Sequence, residues 1–345
     1  MSTSKIVTVG VVALFGVIAT LGFFKKNQKK ADVVFDTKDN KIQEIVIDKK
    51  IEPAQEEKKV IKITALKNES KKPIKKADTK VALKEDENLP EANIIDRLFV
   101  TDSSKLPIVE TVTYTSRVPW IQGRQAWIAD YASHFSTTRH FIARSLNKKT
   151  DYFTQKVSQG DRFNVLREDK NIKFHLLIDI NRSKLWFYSF DEDANERILL
   201  KTYKVGLGRK ESKRESGSLT PKGKYTLGSK VAIYKPNTMG YFQDNKIEMI
   251  KIFGTRWIPF DKEVENCTEP AKGLGIHGAP FVESANSELV EDRSRVGKFG
   301  SDGCIRLFSE DIEEIFSIVI SRPTTIELVD DFHDAKLPGV EKIIK

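Results

Sequence analysis

Gly300-Ser301-Asp302-Gly303-Cys304-Ile305-Arg306-Leu307, together with the earlier Gly275-Ile276-His277-Gly278-Ala279-Pro280, holds the residues around which the chain is read. A cysteine at neutral pH is mostly thiol whereas the nucleophile is the thiolate, so a reactive cysteine needs an imidazole or a positive dipole close by. His277 could supply that imidazole. Gly303 would let a substrate carbonyl approach the backbone, and the amides around Gly303 and Cys304 could donate to a developing oxyanion. Arg306, two residues after Cys304 on the strand-like run Ile305 to Leu307, could hold a carboxylate through a bidentate pair. From residue types alone, a cysteine with a remote histidine reads first as structural. The second cysteine, Cys267, could also pair with Cys304 in an oxidising compartment, which would block the chemistry.

Outward from these motifs the pattern is strand-rich. Phe174 to Ile180 and Lys184 to Phe190, joined through Asn181-Arg182-Ser183, precede Arg197 to Val205 after the acidic turn Asp191-Glu192-Asp193. Three strands at this spacing predict an antiparallel sheet. Further strand-like runs are Lys224 to Leu227, Glu248 to Phe253, Leu274 to His277, Ile305 to Leu307 and Thr324 to Val329. Ser309 is placed to cap one amphipathic helix, with Glu310 and Asp311 in its first turn and Ile312, Ile315, Phe316 and Val319 facing inward. The expected fold class is mainly β with a few helices over residues 173–331, followed by a tail over 332–345. Before it, 94–172 reads as a small α+β accessory module. Trp127, Ile128, Tyr131 and Phe135, then Phe141, Ile142 and Leu146, fit one face of one or two short helices. Tyr152 to Val157, the turn Gln159-Gly160-Asp161 and Phe163 to Leu166 read as a hairpin.

The N-terminal quarter differs. Ile6 to Phe24 is an uncharged apolar run of 19 residues, flanked by Lys5 and by Lys25, Lys26, Lys29 and Lys30. That length crosses a bilayer as a helix, so residues 1–24 are expected to be an uncleaved transmembrane anchor, with a cleaved signal as the alternative. Residues 25–93 read as a disordered charged linker. From Lys25 to Pro90 there are 18 Lys and 13 Asp+Glu, no Arg, Trp or Tyr, and one Phe. Such a stretch cannot bury enough apolar surface to offset chain entropy. Its surplus of positive charge supplies more than half of the net +9 of the 345-residue chain, so nucleic acid is not an expected partner. Two cysteines exclude a disulfide scaffold, and a single apolar run excludes a multi-span membrane protein.

Ile276-His277-Gly278 followed by Ser301-x-Gly303-Cys304-Ile305-Arg306, with Val205-Gly206-Leu207-Gly208 and Thr220-Pro221-Lys222-Gly223-Lys224-Tyr225 upstream, resembles the bacterial L,D-transpeptidase catalytic domain of the YkuD type. The resemblance spans about Phe174 to Asp330. The accessory module is also similar to segments that precede this domain in some epsilonproteobacterial wall enzymes. What the resemblance implies is a β-rich fold, catalytic Cys304 and His277 with the Gly278 carbonyl orienting the imidazole, and Ser301, Asp302, Gly303 and Arg306 around the oxyanion and substrate. It implies peptidoglycan stem peptides as substrate and no metal or other cofactor. In the implied reaction, Cys304 forms an acyl-enzyme with a tetrapeptide stem, releasing D-alanine, and passes the acyl group to an amine. Transfer to water instead would make the chain an L,D-carboxypeptidase, and loss of chemistry would leave a wall-binding tether. The lysines after the apolar run would by themselves hold the chain in the cytoplasm. The implied substrate places it in the periplasm, held at the inner membrane by the N-terminal helix or released there if that helix is cleaved.

Two departures from the family pattern stand out. Asp302 occupies a position where the family often has a second histidine, and an ionised carboxylate there would raise the thiol pKa. His277 and Cys304 are 27 positions apart, longer than is usual, with a charged insert from Glu283 to Arg295. A loop beside the cleft could favour water as acceptor, or recognise a partner. Trp257 with Tyr234 and Tyr241 could line a groove or pack beneath a loop. His134, His140, His175 and His333 lack a ligand pattern.

Overall fold

The computed structural model describes residues 89–147 and 156–344, together with the backbone of two short strands, Val33–Val34 and Gln43–Glu44, which pair antiparallel. The expected anchor at Ile6 to Phe24 and most of the expected linker lie outside the described residues. Among the described residues no helix is long and apolar enough to cross a membrane.

The first part contains β1 (Val109–Thr113), α1 (Ile128–His134), α2 (Arg139–Asn147) and β2 (Arg162–Leu166). β3 (Ile172–Asp179), β4 (Lys184–Asp191) and β5 (Glu196–Lys204) follow as an antiparallel meander. Next come β6 (Leu207–Gly208), β7 (Gly223–Leu227), β8 (Ala232–Ile233), β9 (Met239–Phe242), β10 (Asn245–Glu248), α3 (Ile250–Phe253) and β11 (Arg256–Glu265). The C-terminal part holds β12 (Gly275–Gly278), β13 (Phe281–Glu283), β14 (Leu289–Glu291), β15 (Phe299–Ser301), β16 (Ile305–Leu307), α4 (Ser309–Val319), β17 (Thr324–Val329) and β18 (Val340–Glu341). The fold is mainly β with a few helices, as expected.

One mixed sheet organises the molecule in the order β16-β12-β11-β7-β17-β3-β4-β5-β18, with β8 added beside β11. The inner strands β3 and β4 read as nearly unbroken apolar runs because both of their faces are covered. Phe174, Leu176, Ile178, Leu185 and Phe187 enter the main core with Ile312, Ile315 and Phe316 of α4. Leu177, Trp186 and Tyr188 point to the other face, beneath Phe332, Ala335 and Leu337. Burying each of these large side chains contributes about 1.5–3 kcal/mol. The C-terminal segment is therefore a strap: Phe332 packs on Trp186 at 4.8 Å, and β18 pairs in parallel with the start of β5.

Residues before β3 share the main core too, since Ile95, Leu98, Phe99, Leu106 and Phe141 are buried in it. A separate cluster around Tyr131, Ile142 and Phe163 holds α1 and α2 against β2.

Three local expectations are corrected. β2 pairs with β1, not with Tyr152 to Val157, of which residues 152–155 lie outside the described residues. Alternation marks a strand but does not choose its partner. The run Glu248 to Phe253 is mostly the one-turn helix α3, ended by Gly254 at φ +61°. Its four-residue apolar pattern is too short to separate strand from helix. Ser309 does not cap α4 with its side chain. Phe308 holds the cap position without a side-chain bond, and the Ser309 N–H donates to Glu291 Oε1 at 2.6 Å. A carboxylate from another element thus meets the positive end of the helix.

Candidate active site

The site forms where β12 and β16 run side by side in parallel, with Ile276 opposite Ile305, His277 opposite Arg306 and Gly278 opposite Leu307. Partners in such a pair point to one face of the sheet, so His277 and Arg306 share a face. Cys304 directly precedes β16, and the Arg306 guanidinium is near enough to bear on both the thiol and the imidazole. The Arg306 backbone is clamped by Gly206, through reciprocal N–H to carbonyl bonds of 2.8 Å. The Val205-Gly206-Leu207-Gly208 motif thus positions the strand that carries Arg306. Among the described residues no carboxylate pairs with that guanidinium, and its Nε is buried without a hydrogen-bond partner.

His277 is buried, with Phe253 edge-on at 5.3 Å and Trp257 at 6.0 Å between ring centroids. Its Nδ1 lies 2.7 Å from Gly278 O. A carbonyl only accepts, so Nδ1 carries the proton and Nε2 keeps the lone pair that a general base needs. Gly278 therefore occupies the place expected of it. Burial lowers the imidazole pKa to about 4; the Gly278 and Phe253 carbonyls favour the charged ring, and the Arg306 charge disfavours it further.

Cys304 is half-buried, with Sγ 3.7 Å from Gly273 O. Burial pushes its thiol up to about 11, assisted by the Asp302 charge, while the Gly275 amide and Arg306 act in the opposite sense. Among the described residues no hydrogen bond joins Cys304 to His277. The resting pair is thus neutral thiol and neutral imidazole. Both shifts run opposite to the expected lowering of the thiol by His277, because desolvation disfavours both charged forms.

The turn before Cys304 is self-supporting. Buried Ser301 donates through Oγ to Cys304 O at 2.6 Å and accepts from the Gly303 N–H at 3.2 Å. Ser301 thus braces the turn, and the Gly303 amide is engaged by it. Gly303 has φ +118°, and a Cβ there would meet Leu219 O at 2.8 Å, so backbone geometry requires this glycine irrespective of any substrate. Exposed Asp302 pairs with exposed Arg209 at 2.8 Å.

Cys267 and Cys304 are both free, which excludes the Cys267–Cys304 pairing in this structure. Cys267 donates to Lys224 O at 3.1 Å. The insert after His277 is built as the hairpin β13–β14 followed by a helical turn, Arg293–Arg295. Its Phe281 and Leu289 pack with Phe253 and Trp257 in the cluster that walls His277. Tyr234 belongs to that cluster, while Tyr241 stands exposed on the β9–β10 hairpin. His175 lies between Thr325 and Glu327, His333 beside Asp331, and His134 stacks on Trp120. Phe253 and Arg209 were not singled out as site residues in the sequence; only folding brings Phe253 to His277 and Arg209 to Asp302.

Residues 173–328 match the family model of the YkuD L,D-transpeptidase catalytic domain. A relative from Bacillus subtilis (strain 168), YqjB, which carries the provisional name of an L,D-transpeptidase, is 30% identical over 132 residues. That alignment covers 37% of this chain and 59% of the relative. Two solved structures are weakly similar. The helical cell shape determining protein Pgp2 from Campylobacter jejuni is 18% identical, with 49% of this chain and 50% of that one covered, at a TM-score of 0.32. Mycobacterium tuberculosis L,D-transpeptidase 1 is 16% identical, with 49% and 70% covered, at a TM-score of 0.24. Over residues 173–328, a little under half of its length, the chain carries a match to the YkuD L,D-transpeptidase catalytic domain, and the resemblance of its four motifs to that family holds.

Proposed function

We propose that the chain is a peptidoglycan L,D-transpeptidase that works through a Cys304 acyl-enzyme outside the inner membrane, held there by Ile6 to Phe24. The observation that carries this reading is the parallel pairing of β12 with β16, which sets His277 beside Arg306, with the imidazole held through Nδ1 by the Gly278 carbonyl.

The donor is a tetrapeptide stem. As Sγ attacks the carbonyl preceding D-alanine, Nε2 takes the thiol proton, so no free thiolate is needed beforehand. The Gly278 and Phe253 carbonyls then stabilise the imidazolium. A stem carboxylate bound by Arg306 would cancel the charge that disfavours that imidazolium, linking donor binding to base strength. The imidazolium protonates the departing amine, the carbon–nitrogen bond breaks and D-alanine leaves a thioester. Neutral His277 next takes a proton from an acceptor amine, the new amide forms, and Cys304 is expelled and reprotonated. Water in place of the amine gives a tripeptide.

Incubation of the purified chain with disaccharide tetrapeptide tests this. D-Alanine release that Cys304→Ala abolishes, with a crosslinked dimer as second product, is the expected outcome. Tripeptide without dimer would replace transfer by hydrolysis, and retained binding without D-alanine release would leave a tether.

A further inference from the structure

We infer that Thr220 is a positioning residue for acylation: its buried hydroxyl orients the Gly303–Cys304 peptide so that the Cys304 N–H faces the oxygen of the acyl group under attack. The inference rests on the acyl-enzyme reading above.

Thr220 is fully buried. The Gly208 N–H donates to its Oγ1 at 2.7 Å, and Oγ1 lies 3.0 Å from Gly303 O. A hydroxyl has one proton, and both neighbours fix where it goes: the amide can only donate, so Oγ1 accepts there and donates to the carbonyl. A trans peptide is planar with its C=O and N–H on opposite sides, so holding Gly303 O also aims the Cys304 N–H. Of the two amides at this turn, Gly303 N–H is engaged by Ser301 Oγ. Among the described residues no hydrogen bond engages the Cys304 N–H, which leaves it the unengaged one of these two amides and Thr220 to point it.

The relay also joins the elements around the nucleophile. β6 pairs with β15 so that Gly208 lies opposite Ser301, and a Cβ on Gly208 would meet Thr220 N at 2.4 Å. The close approach of Gly208 to Thr220 and the left-handed φ of Gly303 thus serve one arrangement. Thr220→Val keeps the shape and removes both bonds, freeing the peptide to turn. Thr220→Ser keeps the hydroxyl.

Two reactions of Cys304 in the full chain separate positioning from general support. Acylation by a tetrapeptide stem, read as D-alanine release, builds an oxyanion; alkylation by iodoacetamide does not. In a Cys267→Ser background, Thr220→Val should slow D-alanine release about a hundredfold, the scale of losing an oxyanion donor. The loss should fall on kcat rather than KM, with alkylation within about threefold of the parent. Thr220→Ser should retain both reactions. If the valine chain does not fold, Thr220→Ala is read by the same ratio of acylation to alkylation. Unchanged D-alanine release, or an equal fall in both reactions, overturns the inference. A parent chain that is alkylated but releases no D-alanine overturns the acyl-enzyme reading instead.

Discussion

The thiol of Cys304 should show no preformed thiolate at neutral pH. Burial and the Asp302 charge move its pKa from an ordinary 9.0 to about 11. Alkylation follows the ionised fraction, so two pKa units make Cys304 about a hundredfold less reactive at pH 7 than an unperturbed cysteine. Iodoacetamide labelling of the Cys267→Ser chain, followed by intact mass from pH 6 to 10, should give a rate that rises about tenfold per pH unit without levelling. Asp302→Asn removes one cause of the elevation. It also releases Arg209, whose pairing with Asp302 is exposed on both sides, so the effect is screened and the rate at fixed pH should rise only about two- to fivefold. A plateau with a midpoint below 8 would refute the neutral resting pair and restore a thiolate–imidazolium pair.

Other consequences test different parts of the structure. His277→Gln should lower kcat for D-alanine release by about 10²–10⁴, the usual range for a general acid–base, while leaving alkylation of Cys304 nearly unchanged. Buried His277 and His140 have pKa values lowered from 6.5 to about 4 and about 3. Their neutral forms are therefore favoured by folding: the contribution is full above pH 6.5 and is lost progressively as pH falls from 6.5 to 4 for His277 and to 3 for His140, the range in which the unfolded chain alone binds protons. Urea unfolding at pH 4.5 should show about 2–3 kcal/mol less stability per histidine than at pH 7, and His277→Gln should remove its share of that loss. Glu291→Ala should cost about 1 kcal/mol of stability, read by the same unfolding at pH 7, because the Ser309 N–H loses its acceptor at the start of α4.

The strands were legible because burial writes itself into composition. β3 and β4 carry apolar residues on both faces, and β16 and β17 coincide with the expected runs Ile305 to Leu307 and Thr324 to Val329. The amphipathic face of α4 was readable for the same reason. The partner of β2 was not, since β1 lies far away in sequence and is chosen by shared burial rather than by a turn. At the site, the Gly278 carbonyl was expected from the family resemblance and is found on Nδ1. The part of Asp302 in raising the Cys304 thiol was legible, whereas the larger part played by burial was not, because it depends on how deeply the folded site sits. The bracing of the nucleophile turn by Ser301 and Gly303 was not legible either, because it depends on the φ of Gly303 and the hydrogen bonds of the folded turn.

The central claim is that an acyl group passes onto Cys304 while His277 handles the proton. Rapid quenching of the full chain during turnover of a disaccharide tetrapeptide, followed by peptide mapping, measures it directly. The account predicts a thioester on Cys304 of mass equal to the stem less D-alanine, absent from Cys304→Ala and much slower to form in His277→Gln. D-Alanine release that persists in Cys304→Ala, or an acyl group found on another residue, would contradict it.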